Sequence, residues 1–351
     1  MAKINPEFTK ELKSYGAFDV NACYNCGNCT AVCSLSDEEN SFPRKMIRLS
    51  VLGLEEDIQM SLDPWLCYYC GECSTTCPRQ AEPGELMMSL RRWLISKYDW
   101  TGLSGLLYKS FTASLTAFII LATGVLWFAA YQGFNPEKLL HYGHYFEMIA
   151  IAFVFAFILL PDIIRMWWFT FSKEHSKIPL SAYTKAIGDL FVHMFTQKRT
   201  LGCDDSQVRW FEHLILVFGY LLLLFTTVFL DWFGTNNTFV IALGYIESAI
   251  IFVVTFIFVL SRVKKEKEVS KHSHPSDWFF VIWLFLMGFT AFFVRLFIDI
   301  NILNTNIWLY VLHLIVLVQW ALLIVPFGKW THFLYRSFAM YFIRVKSLNT
   351  K

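Results

Sequence analysis

The sequence predicts an all-α protein in two parts: a small helical front lobe rich in cysteine and, behind it, a bundle of six membrane-crossing helices. Three observations carry that prediction. Eight of the nine cysteines fall within the first 77 residues, in two runs of identical spacing. After residue 110 come six long apolar stretches, each close to the ~20 residues that cross a bilayer as helix. Around the cysteines, apolar residues recur at helical spacing, with little of the alternation that marks a strand.

The composition agrees. Of 351 residues, 56% are hydrophobic and 18% aromatic, well above the apolar share of a soluble domain. A net charge of +2 gives no basic excess, so nucleic acid is not an expected partner. The opening segment "MAKINPEFTKELKSYGAFDVNA" has no apolar core of signal-peptide type. The front lobe is therefore expected in the reducing cytosol, where clustered cysteines favour metal over disulfides.

The lobe is built around "CYNCGNCTAVC", residues 23–33, and "CYYCGECSTTCP", residues 67–78. Each run reads C-x2-C-x2-C-x3-C. Three such cysteines can wrap one corner of a cubane, and in two-cluster ferredoxins the fourth ligates the other cluster. Cys23, Cys26, Cys29 and Cys77 would hold one [4Fe–4S] cluster, and Cys67, Cys70, Cys73 and Cys33 the other. Pro78 follows the second run as in the bacterial pattern, whereas Ser34 follows the first. Gly27 and Gly71 sit at matching places, where a compact loop brings backbone N–H groups to the sulfides. Zinc or unligated thiols are the alternatives, although zinc sites commonly use paired C-x2-C units.

Between the runs, Pro43 suits a helix first turn, Met46, Ile47, Val51 and Leu52 recur at helical spacing, and Gly53 is a stop. Another helix is expected in "GELMMSLRRWLISKY", residues 84–98. The division drawn is a dicluster lobe at 1–98, a connector at 99–110 and a membrane part at 111–345, with spans near 111–131, 146–168, 211–233, 238–260, 278–298 and 307–325. Lys and Arg crowd the 169–210 and 261–277 connections and the C-terminal tail, while 132–145 holds only Lys138 and 234–239 and 299–306 hold none. By the positive-inside rule, the lobe, the basic connections and both termini lie on the cytoplasmic side of the inner membrane.

The segments "CGNCTAVC", "FPRKMIRLSVLGLEED" and "WLCYYCGECSTTCPR" resemble the small iron–sulfur subunit of heterodisulfide reductases, which has an α-helical ferredoxin fold. "RWFEH", residues 209–213, and "HLIVLVQWALLIVPFGKWTHFLYR", residues 313–336, resemble cytochrome b subunits of heterodisulfide reductase and respiratory nitrate reductase. Fused in this order, the parts are similar to the C subunits of the quinone-interacting membrane-bound oxidoreductases. The resemblance implies a bundle of cytochrome b type. It also implies electron transfer between cytoplasmic flavoprotein and iron–sulfur subunits of a heterodisulfide reductase-like complex and membrane quinone. With no Gly-rich dinucleotide motif after a strand, the chain reads as an electron-transfer subunit rather than a complete enzyme. The rival reading is a haem-free membrane anchor that docks such a complex.

A haem b takes two imidazoles from facing helices at one depth. His213, at the start of the third span, and His332, just past the sixth, match at the cytoplasmic side. His313 lies nineteen residues before His332, about 28 Å along a straight helix, so one haem cannot use both. His313 needs an outer partner, with His144 the first candidate and His141 the next. The nitrate-reductase cytochromes carry a second histidine about three turns along the helix of the first; this chain has Leu223 there, and one or two haems are expected. Each histidine could instead be an interfacial side chain, and His193 could replace an inner ligand. His272 and His274 read as solvated, and Cys203 as an unligated thiol. Ionisable groups within spans are costly and often functional. Glu247 is a candidate proton carrier to or from quinone and Arg295 a propionate partner; with Asp162, either could equally be a structural pair.

Overall fold

The computed structural model of the chain describes residues 3–172, 178–198, 201, 207–228, 237–265 and 268–349; Cys203 lies outside them. Among the described residues every regular element is helical, with no strand.

The front lobe comprises α1 (Phe8–Ser14), α2 (Asn28–Ala31), α3 (Arg44–Val51), α4 (Glu55–Met60), α5 (Asp63–Leu66), α6 (Glu72–Thr75) and α7 (Pro83–Tyr98). Pro43 stands at the N-cap of α3 and Gly53 follows its end with φ 68°, so both sequence signals mark the helix ends. Helix α7 is buried nearly all round, because α1, α3, α5, the second cysteine loop's α6 and one helix of the membrane part pack on it.

The expected connector is itself structured. Asp99 accepts the backbone N–H of Thr101 at 2.8 Å and of Ser104 at 2.7 Å, starting α8 (Leu103–Lys109). Ser110 then caps α9 (Phe111–Tyr131) by accepting the N–H of Ala113. The second span starts earlier than its apolar core suggests. Asn135 accepts the N–H of Lys138, Pro136 fills the first turn, and α10 (Pro136–Phe153) carries His141 and His144 on helix rather than in a loop. One π turn (Val154–Leu159) leads into α11 (Leu160–Phe171). Pro161 there has no N–H for the carbonyl of Phe157, and the indole N–H of Trp100 takes that carbonyl at 3.0 Å.

Helix α12 (Leu180–Thr196) precedes α13 (Gln207–Val228), α14 (Thr238–Lys264), α15 (Glu268–Lys271) and α16 (Pro275–Asp299). The sixth span runs through α17 (Ile307–Gln319), a π turn (Trp320–Ile324) and α18 (Val325–Phe327), and α19 (Thr331–Asn349) continues past Gly328. Five helical stretches are long and apolar enough to cross a membrane, and α13 adds a shorter apolar stretch at Trp210–Thr226. The chain is thus a multi-pass membrane protein with five to six spans.

The lobe does not hang from the bundle on a tether. Its apolar core, including Phe8, Leu12, Trp65, Met87 and Trp93, is continuous with Met166 and Phe171 of α11, Ala182 and Ala186 of α12, and Tyr335 and Phe342 of α19. Polar groups join across the same boundary. Asp162, fully buried in α11, accepts the N–H of Trp100 and the hydroxyl of Tyr335, each at 3.2 Å. Asp277 of α16 pairs with Arg92 of α7 at 3.7 Å and with Lys329 at 2.7 Å.

Candidate cluster and haem site

The two cysteine runs take the same backbone path. Asn25 and Tyr69 have φ of 58° and 57°, and Gly27 and Gly71 have φ of 93° and 96°. In each loop the N–H two residues after the first cysteine donates to its Sγ at 3.3 Å: Asn25 to Cys23, Tyr69 to Cys67. Left-handed positions at both sites turn amides inward, and glycine occupies the tighter one at no steric cost. The short helices α2 and α6 follow and pack on each other.

That packing crosses the runs. Burial pushes the Cys29 thiol up, and Cys23, Cys26 and Cys77 act on it in the same sense. Burial pushes Cys33 up to about 11, with Cys67 and Cys70 adding to it. Cys73 is raised by burial, then by Cys67, Cys70 and Cys33. The fourth cysteine of each run therefore lies in the electrostatic neighbourhood of the other. All eight are free of disulfides. Among the described residues no three His, Cys, Asp or Glu side chains converge tightly enough to hold a single ion. Eight thiols in two runs, each run's fourth cysteine near the other run, with one amide per run donating to sulfur, fit the donor chemistry of two [4Fe–4S] clusters.

Beneath the second run lies a cavity of about 310 Å³. Its upper wall includes Tyr68, Tyr69 and Arg91 of the lobe. Three histidines line it: His193 of α12, His213 of α13 and His332 of α19. His213 is exposed, His193 and His332 half-buried. Leu216, Tyr220, Leu284 and Trp320 form its apolar floor, and Arg262, Lys329 and Arg336 supply positive charge. Imidazoles on separate helices, an apolar floor and several cations fit a haem with its carboxylates. The structure thus places His213 and His332 on one cavity, together with His193, the replacement inner ligand that the sequence offered.

The outer candidates are arranged differently. His313 Nδ1 lies 2.8 Å from the hydroxyl of Thr290, and its ring is 6.2 Å from that of Tyr310. Helices α10 and α17 meet at Gly143, where a Cβ would lie 2.5 Å from the Tyr310 hydroxyl and 2.9 Å from Leu314 Cδ2. This contact brings α10 and α17 close together one residue from His144 on one helix and from His313 on the other. Arg295 is engaged by a protein carboxylate: it donates to Asp299 through Nε at 3.2 Å and Nη2 at 2.6 Å, and Tyr245 donates to the same carboxylate at 2.7 Å. Glu247 is 1% exposed; Oε1 accepts from Thr226 at 2.8 Å, and among the described residues Oε2 has no hydrogen-bond partner.

Several residues escaped the sequence reading. Glu147, one turn after His144, is half-buried within electrostatic reach of Tyr310. Charge inside the second span was its available signal. Neither His272 nor His274 is simply solvated. The His272 ring packs edge-on at 4.6 Å against Phe18, and His274 caps α16 while facing Tyr108. The sequence carries no sign of the lobe folding onto that connection.

Residues 19–81 match the 4Fe-4S dicluster domain family. A protein of Archaeoglobus profundus that is itself like the C subunit of heterodisulfide reductase is 32% identical over 88 residues, 25% of this chain and 47% of that protein, so the match spans about half the relative's length. No solved structure matches. The front of the chain is accordingly an iron–sulfur electron-transfer domain that binds 4Fe-4S clusters, carried on a multi-pass membrane protein.

Proposed function

We propose that this protein is the membrane electron-transfer subunit of a heterodisulfide reductase-like complex, similar to the C subunits of quinone-interacting membrane-bound oxidoreductases. It passes electrons between cytoplasmic flavoprotein or iron–sulfur partners and membrane quinone, with the lobe and both termini on the cytoplasmic side. One observation carries the reading: a single cavity is walled both by the second cysteine loop, at Tyr68 and Tyr69, and by His213 and His332.

Bound clusters and haem supply one-electron relays, whereas quinone takes two electrons and two protons. The protein's own residues set the path. Cys23, Cys26, Cys29 and Cys77 hold the outermost cluster, and Cys67, Cys70, Cys73 and Cys33 the one against the membrane. His213 and His332 would hold the haem through their imidazoles, and Arg262 and Arg336, with Lys329 already paired to Asp277, would offer positive charge to its carboxylates. The apolar floor would exclude water from a group held there. Glu247 can hold a proton on Oε2 while Thr226 orients the carboxyl, which suits proton exchange with quinone. The close contact at Gly143 favours one haem, with His313 held by Thr290.

A reduced-minus-oxidised optical spectrum of the purified membrane protein tests this. A b-type α-band is expected. It should vanish in His213→Ala and His332→Ala with the cluster signals intact, and persist in His313→Ala. A wild-type spectrum without the band would leave the haem-free anchor. Loss of one haem in His213→Ala and His313→Ala, with its retention in His332→Ala, would overturn the inner pairing.

A further inference from the structure

Two residues before Cys67, the second loop places a tryptophan between the cluster ligands and the cavity. Trp65 is fully buried, the third residue of a four-residue helix entering the cysteine run. Its ring lies 5.8 Å from the His332 imidazole at an interplanar angle of 32°. Tyr335 lies 5.6 Å away on the next turn of the same helix, and Tyr98 stacks on the indole at 6.3 Å. These side chains fix the ring from several sides.

Arg91 fixes it to the cysteine loop. Its Nε donates to the carbonyl of Pro64 at 2.7 Å, and its Nη2 donates to the carbonyls of Trp65 at 3.4 Å and Cys67 at 2.5 Å. The guanidinium carbon sits 6.0 Å from the Trp65 ring centroid. One buried cation thus spans the backbone on both sides of Trp65 and the first ligand of the second cluster. The route from Cys67 to His332 crosses two bonded residues and one aromatic contact, through a fully buried indole.

We propose that Trp65, held by Arg91, is the electronic bridge between the second cluster and the inner haem and positions the His332 imidazole. This rests on the haem reading above. One electron crosses per event: the cluster is oxidised by one as the iron is reduced by one, or the reverse. No bond forms or breaks, and the indole stays neutral and closed-shell. Trp65 also sets the tilt of the imidazole plane by packing on its face.

Trp65→Leu and Trp65→Phe, made in the full chain and purified with cofactors, test the bridge. Cluster paramagnetic signals and the haem α-band report loading. The low-spin ferric haem signal reports the imidazole orientation, and flash injection of an electron followed by haem absorbance reports transfer. Trp65→Leu should retain both cofactors, shift the ferric haem signal and slow cluster-to-haem transfer several-fold; Trp65→Phe should restore most of the rate. A wild-type rate and unshifted signal in loaded Trp65→Leu would overturn the proposal. Loss of cofactors from both variants would overturn it too, making Trp65 a packing residue only. A wild-type protein without an α-band is a separate outcome, which removes the haem reading and the bridge with it.

Discussion

The two cysteine runs share spacing, loop dihedrals, an amide-to-sulfur bond and a following short helix, yet they sit in opposite surroundings. In the first, Cys26 is exposed and Tyr24 is 71% exposed, covered on one face by the Arg79 guanidinium at 4.2 Å. In the second, Cys67 is buried, and Tyr68 and Tyr69 form cavity wall instead of outer surface. The Tyr69 hydroxyl bonds Glu85, itself buried, where the first loop has the exposed Asn25 accepting from Arg44. Spacing dictates the local backbone; what packs on the loop dictates the medium. Cluster potentials follow exposure and hydrogen bonding to sulfur, so identical runs can hold clusters with different potentials. One suits exchange with a soluble partner, the other with the membrane.

The largest effect separates the runs by their crossed fourth ligands. Cys77→Ser should abolish the signal of the cluster held by Cys23, Cys26 and Cys29, although Cys77 belongs to the second run in sequence. Cys33→Ser should abolish the other and stop transfer to the haem. Spectroscopy that resolves the two clusters reads the result. If Cys77→Ser removes the cluster of Cys67, Cys70 and Cys73, the runs are not crossed.

How much of this was legible in sequence follows from the range of each cause. Cysteine spacing, glycine at the tight turn, the helix after Pro83 and the apolar spans are set within a few residues, and they read directly. Asn135 and Pro136 were also legible as a helix start, but the apolar threshold hid them because α10 opens with Glu137, Lys138 and two histidines. The stretch 99–110 read only as a connector, since nothing local reveals that Asp99 caps α8 or that Trp100 reaches the carbonyl freed by Pro161. The shared cavity, the Trp65–His332 contact and the role of Arg91 join residues distant in the chain, 24 apart for Arg91 and Cys67, or across the lobe boundary, and such pairings have no signature in one sequence.

A smaller effect tests whether the loops are equivalent in backbone. Gly27 and Gly71 have nearly the same φ, 93° and 96°, so Gly27→Ala and Gly71→Ala should each cost about 1 kcal/mol from the left-handed conformation. At Gly27 the added methyl meets only Arg44 Nη1, at 3.4 Å, so sterics add little. Denaturation of the two full-length variants measures the costs. Near-equal values fit the shared backbone; a markedly larger cost at Gly71 would place part of the constraint in the packed surroundings of the second loop.

The smallest effect concerns what holds the second run against the membrane. His274 caps α16 by accepting the N–H of Ser276 on Nδ1 at 3.3 Å, and its ring wedges between lobe and bundle near Gly16 and Tyr108. Burial pushes its pKa down to about 4; Arg92 and Lys329 act in the same sense and Asp277 opposes them. The folded-state value is thus depressed below the unfolded 6.5, so the contribution is fully present above pH 6.5 and is lost as pH falls towards about 4. Protonation also converts the cap acceptor into a donor. The ring is half-buried, so solvent moderates the loss. Because other carboxyls titrate in the same window, the informative quantity is the difference between wild type and His274→Gln, which keeps an acceptor without titrating. Thermal midpoints measured from pH 7 to 4 should converge as pH falls, the wild type losing more stability than the variant. Electron transfer from the second cluster to the haem should weaken over the same range. Parallel pH profiles would show that His274 does not control the docking.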